Sequence, residues 1–428
     1  MSLSNTPAPP DPGAAADSTT AALAEPTTKV TARWVTGLVL VNVGINAAFF
    51  GPINVFIGQQ AISIDEPSKE AILSLVTGCG AAVSLVANPL FGAFSDRTTS
   101  RFGRRSPWVL AGAILATAAL LAMSGATTVA LMVLFWCLVQ LGANAAYAAI
   151  TAAVPDRVPV LQRGGVGGLA AMGQTVGILI GAVFGAVVTG NYAVGYALCA
   201  AALIFSVVPY LFHRNDPQLP HNARPPFAWG SFVRSFWISP VRYPDFAWAW
   251  LTRFLVNVCN QMTIVYLLFF LRDVLKHEDP ALGVLTLTGI YAVMVMITAV
   301  VAGPWSDRLG RRKPFVIGSS AIIAAAGLTM AFFPFWTGAL VGAGILGVGF
   351  GAYLAVDFAL LTQVLPLAAN RGKDMGIINV ANSLPQVIAP LLAFLAVTYL
   401  GGYLTLFVTA AVIGLLGAVF VVKIRSVR

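Results

Sequence analysis

Charge is scarce in this sequence, since only 10% of its 428 residues are Asp, Glu, Lys or Arg. Soluble globular domains carry about 25% charged residues, and a chain with so few cannot cover a water-facing surface. Hydrophobic residues make up 58% of the chain, and the mean hydropathy is +0.83. These values exclude a disordered protein, a secreted disulfide scaffold and a cytosolic enzyme, and they predict a protein that crosses a membrane several times.

Histidine and cysteine are also rare, which limits the chemistry available. The three histidines lie in polar connections, and the four cysteines are isolated inside apolar runs without a CxxC spacing. These residues cannot assemble a metal site or a Ser/His/Asp or Cys/His catalytic set. The sequence lacks a GxxxxGK[ST] phosphate-binding loop, so ATP does not drive the protein directly. We therefore expect no enzymatic activity, no metal and no cofactor.

The apolar residues form twelve runs, each long enough for a membrane-spanning helix. Residues 1–30 contain no such run and are rich in Pro, Ala, Thr and Ser, so we expect a disordered tail. We predict an all-α membrane protein with six-helix bundles at 31–212 and 245–423, joined by a polar linker at 213–244 and ending with 424–428. The predicted spans are 34–57, 70–95, 107–125, 128–153, 165–189, 191–212, 246–271, 282–304, 314–334, 336–363, 375–399 and 401–422.

The positive charges are distributed unevenly over this pattern. If both termini and the even-numbered connections face one side, that side holds 21 of the 25 Lys and Arg residues, the other side holds three, and one lies inside a span. Because positive charges favour the cytoplasmic side, we expect a multi-pass protein of the cell (plasma) membrane with both termini in the cytoplasm. Its expected partners are the lipid bilayer and a small-molecule solute, with no nucleic acid and no obligatory protein partner.

A charged motif occurs twice, after span two and after span eight. In each copy, an Asp-Arg pair at the end of the span is followed by a glycine and two further arginines, and Asp96 and Asp307 lie 211 positions apart. The two six-helix halves therefore repeat each other. A carboxylate at a helix end can pair with a guanidinium or with the N-terminus of a neighbouring helix, and such pairs can break when the two halves move. Alternatively, the arginines only anchor the topology. The candidate gating residues are Asp96, Arg97, Arg104, Arg105, Asp307, Arg308, Arg311 and Arg312.

The repeated GxxxDRxGRR pattern resembles the signature loop of the major facilitator superfamily, and the resemblance covers the chain after residue 30. The first copy is lengthened between Ser95 and Pro107, in a way similar to the sucrose:proton and glycoside–pentoside–hexuronide:cation symporters. This resemblance implies a twelve-helix transporter that moves small solutes by alternating access, often against a proton or sodium gradient. In those symporters, cation coupling relies on acidic residues of spans two or four, whose membrane-embedded parts contain none here.

Two charged residues lie deep inside predicted spans, Arg253 in span seven and Asp357 in span ten. A charge at the bilayer centre costs about 2.5–3.5 kcal/mol on insertion scales, so each is expected to find a partner. Both lie roughly 12–13 Å from the same end of their spans, which makes them a candidate ion pair. Three interpretations remain open: Asp357 carries a proton and Arg253 tunes it, the pair locks two helices, or Arg253 binds an anionic substrate.

Uncharged polar residues in the spans predict a substrate cavity. Amides are costly against lipid and should turn inward, where amides and tyrosines suit a neutral polyhydroxylated ligand. The alternative is that they only join helices through hydrogen bonds. The candidate cavity residues are Asn42, Asn46, Gln140, Asn144, Tyr147, Asn257, Asn260, Gln261, Tyr353, Asn379, Asn382 and Gln386.

These observations favour a secondary active transporter that works by alternating access. We expect proton-coupled symport of a sugar, glycoside or similar small polar solute, driven by a proton gradient, with a sodium gradient as the alternative. Two other functions remain open. One is a proton-driven efflux antiporter of a drug-like or metabolite substrate, and the other is a uniporter.

Overall fold

The computed structural model describes residues 26–188, 190–212, 230, 243–309, 312–364 and 371–424. Within them, eleven helices are long and apolar enough to cross a membrane, and two further helices that meet at a 41° bend form a twelfth span. The described part of the chain contains no β-strand. The predicted all-α architecture with twelve spans is confirmed.

The helices are numbered by span, and α7 consists of two segments, α7a and α7b. Their bounds are α1 Ala32–Ile64, α2 Lys69–Asp96, α3 Ser106–Ser124, α4 Val129–Arg157, α5 Val160–Val187, α6 Tyr192–Phe212, α7a Pro244–Val265, α7b Leu267–Asp273, α8 Pro280–Leu309, α9 Lys313–Phe332, α10 Trp336–Val364, α11 Arg371–Tyr399 and α12 Tyr403–Val421.

The predicted span boundaries agree with these helices within a few residues at most ends. The largest difference is in α1, which continues to Ile64 rather than ending at 57. Most of the predicted tail (1–25), most of the linker (213–229 and 231–242) and the last residues of the chain (425–428) lie outside the described residues.

The helices pack as two equivalent bundles. In the first half, α1 packs against α5 and α6, α3 against α4 and α6, and α2 against α4. The same pairs recur six helices later, because α7 packs against α11 and α12, α9 against α10 and α12, and α8 against α10. The halves meet along α2 with α11 and along α5 with α8, which are also equivalent pairs. The packing therefore has the twofold pseudo-symmetry that the repeated motif indicates.

Local signals in the sequence fix several helix starts. The hydroxyl of Thr31 accepts a hydrogen bond from the Trp34 backbone N–H, and the hydroxyl of Thr128 accepts one from the Leu131 N–H, so each threonine caps the helix that follows it. Prolines occupy the first turn of α3 and α9, where no backbone N–H is needed for the helix. These prolines belong to the two copies of the charged motif, so the motif also starts the next helix in each half.

Helices α1 and α5 approach each other closely along a stripe of glycines in α5. The sequence spaces these glycines four residues apart, which predicts close packing on one helix face. A Cβ atom at Gly173 would lie 2.8 Å from the carbonyl oxygen of Val39, and one at Gly181 would lie 2.6 Å from the backbone nitrogen of Gly51. A side chain at either position would therefore push the two backbones apart.

The first helix of each half is irregular at a matching position. Helix α1 contains a π-helical turn at Pro52–Phe56, and α7 breaks at Tyr266 between its two segments. The 211-residue offset between Asp96 and Asp307 relates Asn54, in the π-helical turn, to Val265, the last residue of α7a. Discontinuous helices at corresponding positions of two repeats are a feature of transporter binding sites.

We expect Gly181→Ala to destabilise the protein and Gly168→Ala in the same helix to leave it unchanged. The added methyl at 181 meets backbone, whereas a Cβ at 168 meets nothing within 4 Å. Overpacking of this kind costs about 1–3 kcal/mol. Thermal unfolding of the purified variants in detergent measures the difference, and equal midpoints for the two variants would contradict the close α1–α5 contact.

Candidate functional site

A cavity of about 1150 Å³ lies between the two halves. Its walls come mainly from α1, α2, α4 and α5 of the first half and from α7, α8, α10 and α11 of the second. It extends to Asp96 and Arg97 at the end of α2, and to Pro155 near the end of α4. The cavity therefore reaches the membrane face that holds the α2–α3 loop, called here the loop face. Ligand sites typically measure about 300–1000 Å³, so a small solute fits.

At the opposite face, the two halves are joined by charged and polar contacts. The Lys69 ammonium lies 2.7 Å from a carboxylate oxygen of Asp273, and the Arg272 guanidinium lies 2.5 Å from Glu66. The Tyr266 hydroxyl donates a hydrogen bond of 3.0 Å to the backbone carbonyl of Glu70. Each contact links the start of α2, or the connection before it, to the end of α7. The opposite face is thus held together while the cavity extends to the loop face, which is the arrangement of one end state of alternating access.

The first half contributes a connected polar wall to the cavity. The carboxamide oxygen of Asn144 accepts hydrogen bonds from the Ser84 hydroxyl (3.1 Å) and the Asn88 amide (3.4 Å), and its nitrogen donates to the Gln140 side chain (3.1 Å). The Gln174 amide donates to the Tyr147 hydroxyl at 3.1 Å. Of the predicted residues in this half, those lining the cavity are Asn46, Gln140, Asn144 and Tyr147.

Ser84, Asn88 and Gln174 also line this wall and were not predicted from the sequence. Isolated polar residues are common in transmembrane helices, so no individual residue here signalled a site. What distinguishes these three residues is that they face Asn144 or Tyr147 across the α2–α4 and α4–α5 contacts. This position is known only once the packing of the helices is known.

The second half contributes a hydrogen-bonded pair and an aromatic pair to the cavity wall. The Tyr291 hydroxyl donates a hydrogen bond of 3.4 Å to the Asn260 carboxamide oxygen. Phe350 stacks on Tyr291 with ring centroids 6.2 Å apart, and both rings line the cavity. The predicted residues of this half that line the cavity are Asn260, Gln261, Asn382 and Gln386.

Three predicted cavity residues lie elsewhere, and they correct the sequence-based set. Asn42 is buried in the α1–α5 contact, and its amide donates to the Leu38 carbonyl. The Asn257 amide donates to the backbone carbonyl of Arg253, and Tyr353 is buried with its hydroxyl on Asp357. None of the three is among the described residues that line the cavity. The Asn379 side chain lies outside the described residues.

The physical reason is helix rotation. Polarity predicts that a side chain avoids lipid, but an amide avoids lipid equally well by bonding its own helix or by facing a neighbouring helix. Which of these occurs depends on the packing of that helix against its neighbours, which the sequence of a single helix does not specify.

The structure brings Arg253 and Asp357 together. The Arg253 guanidinium pairs with one carboxylate oxygen of Asp357, and the Tyr353 hydroxyl donates to the other at 2.8 Å. The Arg253 Nε donates to the carboxamide oxygen of Asn382 at 2.7 Å. Asp357 is 4% exposed and Arg253 9% exposed, so both charges are shielded from lipid and water. Asn382 lines the cavity, so one hydrogen bond separates the cavity wall from the ion pair.

Residues 36–288 and 280–428 match the family model described as Major Facilitator Superfamily. The chain belongs to the major facilitator superfamily. It is therefore a membrane transporter and not an enzyme.

Solved structures of peptide transporters share this superfamily fold. A peptide transporter POT in complex with sulfate matches with a TM-score of 0.73 at 14% identity, covering 95% of this chain and 98% of that one. A POT family transporter in complex with a thioalcohol-conjugated peptide matches with a TM-score of 0.73 at 13% identity, covering 91% and 95%. At such low identities the similarity shows the fold alone.

The first superfamily loop is anchored inside its own half. Arg105 lies 2.6 Å from an Asp96 oxygen, and its Nε donates to Asp156 at the end of α4 at 2.8 Å. Arg104 also pairs with Asp156. Burial by itself would lower the pKa of Arg105, but the carboxylates of Asp156 and Asp96 raise that pKa above its usual value, so Arg105 stays charged. These contacts hold the ends of α2 and α4 together.

Asp156 was missed by the sequence analysis because it follows span four as predicted and is not part of the repeated motif. Arg97 donates to the carbonyl of Ala93 in its own helix. In the second copy of the loop, Arg308 is exposed and Arg312 is half-buried, while Arg311 and the Asp307 side chain lie outside the described residues. A gating role for the two loops therefore stays a prediction.

We expect Arg253→Gln and Asp357→Asn each to lower the stability of this transporter, and the double variant to regain most of the loss. Removing one partner leaves the other as a buried charge without a counterion, which costs about 3–5 kcal/mol, whereas the double variant buries two neutral amides. Midpoints of thermal unfolding in detergent for all four proteins check this. Additive losses in the double variant would contradict a direct pair.

We expect Asp273→Asn to loosen the opposite face, because it removes the carboxylate that pairs with Lys69 across the halves. A partly exposed pair contributes up to about 1 kcal/mol, so amide exchange at 64–69 should rise by up to about fivefold. Hydrogen–deuterium exchange with mass spectrometry measures this. Glu278→Gln, an exposed acid in the next connection, is the matched control and should leave exchange unchanged. Identical exchange in both variants would argue against an inter-half clamp.

Proposed function

We propose that this transporter couples uptake of a small neutral polar solute, such as a sugar or glycoside, to proton movement. The observation that carries the proposal is the hydrogen-bonded connection from the cavity to the buried charges. Asn382 lines the cavity and accepts from Arg253, which pairs with Asp357. A solute that draws the Asn382 carboxamide toward itself takes the carboxamide oxygen away from Arg253.

The chemistry of the cavity wall supports a neutral solute. Its interior polar groups are carboxamides, hydroxyls and phenols, which donate to and accept from hydroxyl groups without a counter-charge. Among the described lining residues, the charged ones are Asp96 and Arg97, both at the loop-face end. Rings such as Phe350 and Tyr291 offer apolar faces for the carbon skeleton of a sugar.

Coupling follows from the ion pair. When solute turns the Asn382 carboxamide toward itself, the Arg253 Nε loses its acceptor and Arg253 is freer to leave Asp357. A buried carboxylate without its counterion is costly and takes up a proton instead. Solute binding and protonation of Asp357 therefore favour each other. The proton gradient supplies the driving force and no cofactor is needed; a sodium ion at the same carboxylate is the alternative.

Peptide transport by proton symport is a second candidate. It is favoured by the likeness to structures named as peptide transporters and by the deep pair of opposite charges, which would suit the two termini of a peptide. This reading requires Arg253 and Asp357 to separate and bind the substrate directly. The neutral-solute proposal leaves both behind the cavity wall.

The direction and location of transport are part of the same proposal. The longer first loop supports the sucrose and glycoside symporter branch, and the charge distribution supports a plasma-membrane protein with both termini and the loop face in the cytoplasm. Efflux of a drug-like or metabolite solute and simple uniport are the competing outcomes that the test below separates.

We expect neutral sugars to alkalinise the medium of lightly buffered, de-energised cells that express the protein, because each imported solute brings a proton with it. Asp357→Asn should reduce this alkalinisation at least tenfold, and Glu278→Gln should retain it. A pH electrode measures the response to pulses of mono- and disaccharides and, separately, of dialanine, with and without sodium.

The outcomes separate the candidates. Alkalinisation with dialanine alone favours the peptide transporter, and sodium-dependent solute entry without a pH change favours sodium coupling. Entry of radiolabelled sugar with neither a pH change nor a sodium requirement identifies a uniporter. No response to any solute, with expression at the membrane verified, contradicts import and favours efflux.

A further inference from the structure

We infer that Asn54 forms a hydroxyl-binding subsite of the cavity, at the end closest to the closed opposite face. The inference rests on the proposed function, since it assigns a contact to the same neutral, hydroxyl-bearing solute. It adds a residue that neither the polarity pattern nor the repeated motif of the sequence singled out.

Asn54 is a buried amide with an unused acceptor. It lines the cavity, is 8% exposed, and its carboxamide oxygen has no hydrogen-bond partner in the protein. The other two asparagines of α1 differ, because the Asn42 amide donates to the Leu38 carbonyl at 2.9 Å and the Asn46 amide donates to the Asn42 carbonyl at 2.8 Å. Leaving a buried polar atom unsatisfied costs free energy, and a ligand group that reaches the Asn54 amide from the cavity would relieve this cost.

The backbone of α1 explains why Asn54 faces the cavity. Asn46 lies on the cavity side of α1, and in a regular α-helix a residue eight positions later is rotated about 80° from it, toward the edge of that face. The π-helical turn Pro52–Phe56 holds more residues per turn than an α-helix and rotates Asn54 back toward the face of Asn46. Pro52, at the start of this turn, has no backbone N–H to donate.

The other residues of the turn are held by the first half. A Cβ at Gly185 of α5 would lie 2.7 Å from a Val55 methyl, and the Phe56 ring packs on Tyr196 of α6 with centroids 5.6 Å apart. Val55 and Phe56 thus fix the turn from behind, while Ile53 and Asn54 line the cavity. A side chain held in this way is pre-organised for a ligand.

The position of Asn54 relates it to closure of the opposite face. One turn beyond it, a Cβ at Gly58 would lie 2.8 Å from a methyl of Leu268 in α7b, so the two halves touch there. Val265, the pseudo-symmetric counterpart of Asn54, also lines the cavity just before the break in α7. A solute group at Asn54 therefore lies between the two helix irregularities that flank the closed end.

The ligand chemistry follows from the amide. A hydroxyl group donates to a carboxamide oxygen and also accepts from a carboxamide nitrogen, so it satisfies Asn54 in either orientation of the amide. An ammonium group only donates and a carboxylate only accepts. A hydroxyl at one end of a sugar or polyol is the group that fits both.

Asn54→Leu is the main test, since it keeps the size of the side chain and removes its hydrogen bonds. Purified wild-type protein is first screened by thermal shift with a set of neutral mono- and disaccharides and with dialanine. The saccharide that stabilises it most is then titrated together with its monodeoxy derivatives. We expect one deoxy derivative to bind the wild type about tenfold more weakly than the parent sugar. We expect Asn54→Leu to bind the parent sugar about tenfold more weakly than the wild type does. Because the leucine cannot bond the missing hydroxyl, this variant should bind the deoxy derivative as tightly as the parent sugar.

Two results overturn the subsite. One is Asn54→Leu binding the parent sugar within twofold of the wild type. The other is equal weakening of the parent and every deoxy derivative, which indicates a structural role. Failure of the proposed function gives a different result, in which no saccharide stabilises the wild type and dialanine does. That result also overturns the assignment of a hydroxyl ligand to Asn54. Asn42→Leu, in the same helix but outside the cavity wall, is the matched control and should leave the deoxy pattern intact.

Asn54→Cys gives a readout that does not depend on the affinity of the leucine variant. The neutral reagent hydroxyethyl methanethiosulfonate should modify this thiol in folded protein, and the stabilising saccharide should slow the modification at least fivefold. Peptide mass spectrometry separates residue 54 from the four native cysteines. Absence of modification, or modification that the saccharide does not slow, overturns the inference.

Discussion

The constraint on which this structure depends is that a bilayer offers no hydrogen bonds to side chains or backbone. Several asparagines of the spans meet it in the same way, by donating to the backbone carbonyl four residues earlier, as Asn46, Asn144 and Asn257 do. This bond uses the amide nitrogen and leaves the carboxamide oxygen for other partners. In Asn144, which lines the cavity, that oxygen accepts from Ser84 and Asn88, so the same side chain also joins α4 to α2.

The two halves share a packing scheme but divide the chemistry. The 211-residue offset relates Asn42 to Arg253 and Asn46 to Asn257, so a neutral position of α1 corresponds to a charged position of α7. The ion pair and its partners Tyr353 and Asn382 all lie in the second half, on α7, α10 and α11. The first half instead contributes the uncharged wall around Asn144. Under the proposed function, coupling and solute recognition lie on equivalent scaffolds that face one cavity.

The sequence was sufficient for features that depend on local composition or on depth in the membrane. Helix number and the repeat followed from apolar runs and motif spacing, and the depths of Arg253 and Asp357 indicated a pair because an isolated charge there is costly. Features that depend on helix rotation were not accessible. Asn42 and Tyr353 were assigned to the cavity because they are polar, whereas Asn54, which is equally polar, was left out. Nothing in the sequence of Pro52–Phe56 distinguishes a π-helical turn from an α-helical one.

The geometry also indicates how solute occupancy reaches both ends of the cavity. Asn382 is one hydrogen bond from the ion pair, and Asn54 is one turn from the contact between α1 and α7b that accompanies the Lys69–Asp273 bridge. Under the proposed function, a solute that contacts both amides acts on the charges and on the closed face together, whereas a solute that contacts only one leaves the other unchanged. Alternating access requires the protonation state and the closure of the two halves to change in concert. The size of the solute relative to this separation is therefore a selection criterion, independent of its hydrogen-bonding groups.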